Sequence, residues 1–216
     1  MLKSYKFRLY PNKVQESLIQ KTFGCVRFVY NQCLAYKINK YQTEEVSLSK
    51  IDVNNYKNRI LKVKYEWLKE VDKFALDNAV INLDSAYQKF FREHKGFPKF
   101  KSKKDNHRSY KTNITNSNIE VNFNNRKIKL PKLKWIKARG IRHFEGKIKS
   151  ATISQTPSGK YYCSILVEQE NYKPLFDIGY KVGIDFGIKD FAITSDGDKI
   201  SNPKYLAKSE KKLDKL

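Results

Sequence analysis

Along the first ten residues, apolar and charged side chains alternate. Tyr5, Phe7 and Leu9 fall on one face and Lys6 and Arg8 on the other, the two-residue period of a strand over residues 4–10. Pro11-Asn12 breaks the alternation, and Asn12 is placed to cap a helix. From there the period lengthens. Leu18, Ile19, Phe23, Val26, Tyr30, Cys33 and Leu34 recur at helical spacing, and a second helical stretch covers about 50–69 with Ile60, Leu61, Trp67 and Leu68. A third, over about 72–94, carries the clearest stripe: Leu76, Ala79, Val80, Leu83, Ala86, Tyr87, Phe90 and Phe91. Such stripes predict a helical core.

After Gly96 the period returns to two. Ile119, Val121 and Phe123 alternate, Asn124-Asn125 forms a tight turn, and Ile128 and Leu130 resume the alternation. Residues 148–155 and 160–169 predict another hairpin, closed by Thr156-Pro157-Ser158-Gly159. This section reads as a small antiparallel barrel or sheet with Lys and Arg on its outward face. Residues 170–180 read as a linker. A short apolar strand, Val182 to Ile184, then runs into Asp185. Strands at Phe191 to Thr194 and Lys199-Ile200 follow, and Ser201-Asn202-Pro203 resembles the cap and first turn of a helix.

Charge sharpens this outline. The 216 residues hold 44 Lys and Arg against 22 Asp and Glu, a net charge of +22. Residues 1–94 carry 17 basic and 10 acidic side chains, residues 95–150 carry 17 and 3, and residues 151–216 carry 10 and 9. Most of the excess therefore sits in the strand-rich middle section, as a binding face requires and an evenly solvated surface does not. With 40% hydrophobic residues the chain is too apolar to be a disordered basic tail. A folded protein this cationic points to a polyanion, because clustered Lys and Arg release counterions from phosphates. No run of 18 apolar residues occurs and MLKSYKFRLYPNK has no signal-peptide core, which argues against secretion and membrane insertion. Cys25, Cys33 and Cys163 form no C-x-x-C pair, so they read as buried apolar residues rather than a disulfide framework or zinc finger. His94, His107 and His143 are isolated, and nothing resembles the paired histidines of a tyrosine transposase or integrase.

Two motifs carry candidate chemistry. In GFPKFKSKK (Gly96–Lys104), Phe97 and Phe100 interleave with Lys99, Lys101, Lys103 and Lys104. Rings stack on bases while ammonium groups neutralise phosphates, which suits single-stranded nucleic acid; a strand with both rings in the core fits the same pattern equally. In KVGIDFGIKDFAITS (Lys181–Ser195), Asp185 lies in a buried-looking strand, where a carboxylate needs a metal or a partner. Gly183 and Gly187 would admit a phosphate or a second chain. Ribonuclease-H-like folds begin with such a hairpin, and actin-like ATPases also open on G-I-D-F-G, though near their N-terminus. A kinase D-F-G needs a glycine-rich loop and catalytic loop that are missing upstream. A helix-turn-helix regulator over 12–40 would leave the barrel and Asp185 unexplained.

Taken in order, eight segments carry a resemblance to one family. YKFRLYPNKVQ, FGCVRFVYN, YEWLKEVD, LDSAYQKFF, GFPKFKSKK, IKLPKL, GKIKSATISQTPSGKYYCSILVE and VGIDFGIKDFAITSDG resemble the N-terminal half of the transposon-encoded OrfB/TnpB proteins, RNA-guided nucleases related to type V CRISPR effectors. The resemblance implies an α+β chain. A first barrel strand (1–10) leads into a helical recognition lobe with a helix-turn-helix-like start (11–94). A basic antiparallel β-barrel wedge domain (95–172) and the first strands of an RNase-H-like RuvC domain (178–216) follow. It makes Asp185 the first RuvC carboxylate, catalytic and metal-binding, holding Mg²⁺ for phosphodiester cleavage. It implies guide RNA and double- and single-stranded DNA as partners, neither membrane nor small-molecule substrate, and a cytoplasmic, nucleoid-associated prokaryotic location. Lys73 and Asn78 are its candidates for reading a motif beside the target, since an Asn amide pairs with adenine. The family's later Glu, second Asp and zinc ribbon have no counterpart here. The expectation is therefore a binding portion that cleaves only in a full-length form; the alternative is a naturally truncated, cleavage-dead RNA- or DNA-binding protein or transposon remnant.

Overall fold

In the computed structural model, which describes residues 1–105, 108–170, 179 and 181–214, the first strand holds the middle of a seven-stranded antiparallel sheet. β1 (Leu2–Tyr10) pairs along one edge with β7 (Tyr161–Glu168) and along the other with β5 (Lys134–Arg139). β6 (Lys147–Gln155) and β2 (Arg108–Asn113) extend the sheet beyond β7; β4 (Lys127–Leu130) and β3 (Glu120–Asn122) extend it beyond β5. β2 and β3 are free edges, so the sheet is open, and the barrel expected from the sequence does not close in hydrogen-bonding terms. β3 pairs with β4 over three residues only, and no ladder joins β3 to β2 among the described residues. The predicted hairpins β3–β4 and β6–β7 are present, and β2 and β5 are additional strands. Gly146 at the entry to β6 has φ +120°, and a side chain there would meet the Glu168 carbonyl oxygen at 2.4 Å. Only glycine fits that crossing.

The chain turns from β1 into α1 (Lys13–Glu44) through a reciprocal cap. Asn12 Oδ1 accepts from the Gln15 backbone N–H at 2.8 Å, and Gln15 Oε1 accepts from the Asn12 N–H at 3.1 Å. The Gln15 amide nitrogen also donates to the carbonyls of Leu133 (3.0 Å) and Trp135 (3.1 Å), fixing the helix start to β5. α1 runs without interruption, so no turn divides it into a helix-turn-helix within 13–44. It holds no proline, and Gly24 stands in open space. α2 (Lys50–Tyr56), a π-turn (Lys57–Leu61), α3 (Lys62–Lys64) and a 3₁₀ turn (Glu66–Lys69) realise the second predicted stretch. α4 (Lys73–Glu93) is the third, capped by the Asp72 carboxylate.

One continuous core joins these helices to the inner face of the sheet. Ile19, Val29 and Leu34 of α1, Leu76 and Leu83 of α4, and Phe7, Ile136, Ile153 and Ile165 of the strands are buried within it. Cys25, Cys33 and Cys163 are buried and free, as expected of small apolar residues. Burial pushes the Cys33 and Cys163 thiols up to about 12, which leaves them protonated and inert. Among the polar residues buried in this interior is Lys57, with no exposed surface, whose Nζ donates to Asn54 Oδ1 at 2.7 Å and forms an ion pair with Asp77 of α4.

Residues 173–216 form a second contact unit. Its sheet has the order β10-β9-β8, from β8 (Ile184–Asp185), β9 (Asp190–Thr194) and β10 (Lys199–Ser201), followed by α5 (Tyr205–Leu213). The helix begins after the Pro203 turn rather than in it, with Asn202 Oδ1 accepting from the Lys204 N–H at 3.0 Å. Most of the expected 170–180 linker lies outside the described residues, as does His107.

The buried ion pair yields a stability prediction. Asp77→Ala strands a buried ammonium and is expected to destabilise the protein by about 3 kcal/mol, with Asn54 and the partial exposure of Asp77 holding it to the low end for broken buried pairs. Adding Lys57→Met should recover most of that loss in a urea titration. A double variant no more stable than Asp77→Ala would contradict this account.

Candidate nucleic-acid interface

Strand alternation gives the large sheet two chemically different faces. The inner one carries Phe7, Leu9, Ile136, Ala138, Cys163 and Ile165, all buried. The outer one carries Lys6, Arg8 and Tyr10 from β1, Lys137 and Arg139 from β5, Tyr162 from β7, Lys111 from β2 and Lys127 from β4. None of these six cations forms an ion pair among the described residues, whereas Lys129 pairs with Glu120 at 2.8 Å and Lys149 with Glu168 at 2.9 Å.

The register makes this uncompensated charge more pointed. Arg8 stands directly opposite Arg139, and Lys127 opposite Lys137. Like charges in cross-strand positions destabilise a sheet, and an anion lying across the face removes that penalty. Lys6, Arg8 and Arg139 line one shallow groove with Arg142 and Tyr162, and Arg139 continues into a second one with Tyr10, Lys127 and Lys137. Rings and cations alternate along it: Lys6 Nζ lies 4.7 Å from the Tyr162 ring centre, and the Arg8 and Arg139 guanidinium groups each lie 5.2 Å from that of Tyr10.

A second basic element borders the helices. Residues 94–105 form no strand, so Phe97 and Phe100 are not the inward residues of one; they are 46% and 57% exposed. Phe97 packs edge-on against Tyr87 and Phe90 of α4, and buried Pro98 anchors the segment. Asn31 of α1 clamps the backbone of Lys101 twice, its Oδ1 accepting the N–H at 2.8 Å and its Nδ2 donating to the carbonyl at 3.0 Å. Lys101 places its ammonium 4.3 Å from the Tyr30 ring centre, and desolvation there lowers its pKa below the usual lysine value. Lys99, Lys103 and Lys104 are exposed.

The two helical-lobe candidates part company. Lys73 is exposed at the first turn of α4. Asn78 is 5% exposed, and its amide nitrogen donates to the carbonyls of Phe74 (2.8 Å) and Lys111 (3.1 Å). The amide nitrogen is thus spent on the α4 backbone and on holding α4 to β2, and pairing with a base is not what this side chain does.

Asp185 occupies β8 opposite Ile193, and the strand is exposed rather than buried: Ile184 is 53% and Phe186 69% exposed. Gly187 permits the tight return to β9, since a side chain there would meet the Asp190 carbonyl at 3.1 Å. No group of three His, Cys, Asp or Glu is arranged to hold a metal ion among the described residues. One exposed carboxylate does not fit a two-ion magnesium centre, which needs several.

Sequence reasoning passed over Arg8, Tyr10, Arg139, Arg142 and Tyr162 as binding residues. Arg8 was visible on the outer side of the first strand; the others meet it only through pairings between distant strands.

Residues 1–45 match the family model of the helix-turn-helix domain of IS605 OrfB proteins; here they fold as β1 and the single helix α1. The whole chain is 31% identical over 219 residues to InsQ of Escherichia coli (strain K12), named for a proposed RNA-guided DNA endonuclease activity, and covers 52% of that protein. It is 28% identical to a similarly named protein of Streptomyces pristinaespiralis, with 99% of this chain and 53% of that one aligned. Virulence protein VsdF of Salmonella dublin is 39% identical over 113 residues, which make up 48% of this chain and 95% of VsdF. Among solved structures, a Cas12f1–sgRNA–target DNA complex gives a TM-score of 0.43 at 12% identity over 100% of this chain and 60% of that one. A Cas12f ternary complex gives 0.46 at 10% identity over 94% and 51%. No helix among the described residues is long and apolar enough to cross a membrane. The chain spans about half the length of the two endonuclease-named relatives, and its alignment with them, together with the OrfB family model over residues 1–45, agrees with the OrfB/TnpB resemblance read from the sequence.

Proposed function

We propose that these 216 residues are the nucleic-acid-binding portion of a TnpB-like RNA-guided DNA endonuclease. The observation that carries this reading is the outer sheet face, where six cations stand without ion pairs among the described residues and two like-charged pairs face each other across strands. It occurs in a chain whose full length aligns with about half of a relative named for that activity. The large sheet serves as the wedge domain, residues 11–94 as the recognition lobe, and residues from about 178 onward as the start of the RuvC domain. Guide RNA lies along the sheet and the lysine segment at 99–104, and base pairing between another part of that RNA and the target strand reads the target. Lys73 faces the same partners from the first turn of α4.

Asp185 is assigned to the cleavage centre as its first carboxylate, in a prokaryotic protein working at the nucleoid. Cleavage by divalent metal ions needs further carboxylates, so the work assigned to this chain by itself is binding.

Three measurements test this. Purified from bacteria, the protein should carry one enriched class of RNA; recovery of no RNA above a basic-protein control would overturn the reading. Joint replacement of Lys99, Lys101, Lys103 and Lys104 by Ala should flatten the salt dependence of RNA affinity. Log–log plots would lose about two to three in slope, at roughly 0.7 per released contact on a single strand; an unchanged slope would move the interface elsewhere. Asp185→Ala should leave RNA affinity within about twofold, because phosphate contact lies on other residues. A tenfold loss without unfolding would contradict that separation of roles.

A further inference from the structure

Three aromatic side chains step diagonally across adjacent strands on the outer sheet face. Tyr162 of β7 is opposite Arg8 of β1, and Tyr10 stands two residues further along β1. Tyr10 is in turn opposite Lys137 of β5, with Trp135 two residues away on that strand. Diagonal neighbours of this kind stand roughly 7–8 Å apart. Tyr10 and Trp135 are each 41% exposed, with ring surface open to a ligand.

The charges are placed between the rings rather than around them. Arg8 lies 5.6 Å from the Tyr162 ring centre and 5.2 Å from that of Tyr10, and its Nε is buried with no acceptor among the described residues. Leaving a buried charged donor unpaired is costly, and the side chain directly opposite, Arg139, brings a second positive charge instead of an acceptor. An unmet donor, an opposed cation and flanking rings together describe a place for an anion joined to flat apolar groups.

We infer that this diagonal is a platform for unpaired nucleotides. Bases stack on Trp135, Tyr10 and Tyr162, and the phosphodiester between two of them receives Arg8 and Arg139. A duplex is not the ligand of this face, because its bases are stacked on one another and offer the protein only backbone and groove edges. The inference rests on the nucleic-acid reading above and narrows it to single-stranded segments.

The experiment titrates the full chain into a fluorescein-labelled 15-nucleotide single-stranded RNA of mixed sequence and, separately, into a labelled blunt duplex of that sequence, following anisotropy. Tyr10→Leu and Trp135→Leu keep the net charge and an apolar side chain while removing the ring. Each is expected to weaken single-strand binding roughly tenfold, leave duplex binding within twofold and keep the salt slope. Arg8→Gln and Arg139→Gln should each lower the single-strand salt slope by about 0.7. In the parent protein Trp emission should be quenched by the single strand and not by the duplex, and the quenching should vanish in Trp135→Leu, since Trp67 packs against Phe28. Unchanged denaturation midpoints exclude misfolding of the variants. Single-strand affinities within twofold of the parent for both ring variants would overturn the platform while leaving nucleic-acid binding standing. Failure of the parent to bind either RNA would overturn both.

Discussion

The first strand must be in place before the large sheet can exist. β1 contributes residues 2–10 to the centre of the sheet, where its partners come from positions 134–139 and 161–168. Helices α1 to α4 all lie in the loop that this closure creates. Such pairing between distant positions defers its stabilising contacts until a long loop has been closed, so the buried side chains of β1 must be strongly apolar to hold it. Phe7 and Leu9 are 1% exposed, and Gln15 ties the following helix to β5 within the same turn of chain. Fold and binding face are therefore set by one segment, because the residues alternating with Phe7 and Leu9 are Lys6, Arg8 and Tyr10.

That arrangement has an electrostatic cost. A sheet placing Arg8 against Arg139 and Lys127 against Lys137 is less stable than one with acidic partners, and only the core beneath offsets the repulsion. The protein does use compensating pairs elsewhere: Lys57 with Asp77 in the interior, Lys129 with Glu120 and Lys149 with Glu168 at the surface. Among the described residues no such pair forms on β1 or β5, and the nucleic-acid binding proposed above rests on that feature. The lysine segment at 99–104 differs in kind, being irregular chain held to α1 by Asn31 rather than side chains fixed by a strand register.

Much of the architecture was legible along the chain because its periods are clean. The stripe from Leu76 to Phe91 became α4, and the Asn12 cap and two hairpins fell where alternation and turn residues put them. β2 and β5 were harder to see: their buried positions are Tyr110 and Thr112, and Ile136 and Ala138, which are weak or mixed signals between lysines. Whether the sheet closes depends on whether its edge strands pair with each other, which no single segment contains. Asn78 misled because an amide on a helix looks free until the Lys111 carbonyl is found against it. Asp185 looked buried because its flanks are apolar, yet residues 173–216 bury only Ala192 among their large and small hydrophobic side chains in the described residues. The binding face was half legible: the outward Lys and Arg of the first strand were evident, but their convergence with Tyr162 and Arg139 is a product of long-range pairing.

The most direct measurement is ultraviolet crosslinking of the chain to a single-stranded RNA, followed by mass spectrometry of the joined peptides. Contact through the sheet predicts crosslinks on peptides holding Tyr10, Trp135 and Tyr162, with further ones on the segment containing Phe97 and Phe100. Crosslinks confined to α1–α4 or to residues beyond 181, with none on β1, β5 or β7, would contradict the claim that the open sheet face is where this protein holds nucleic acid.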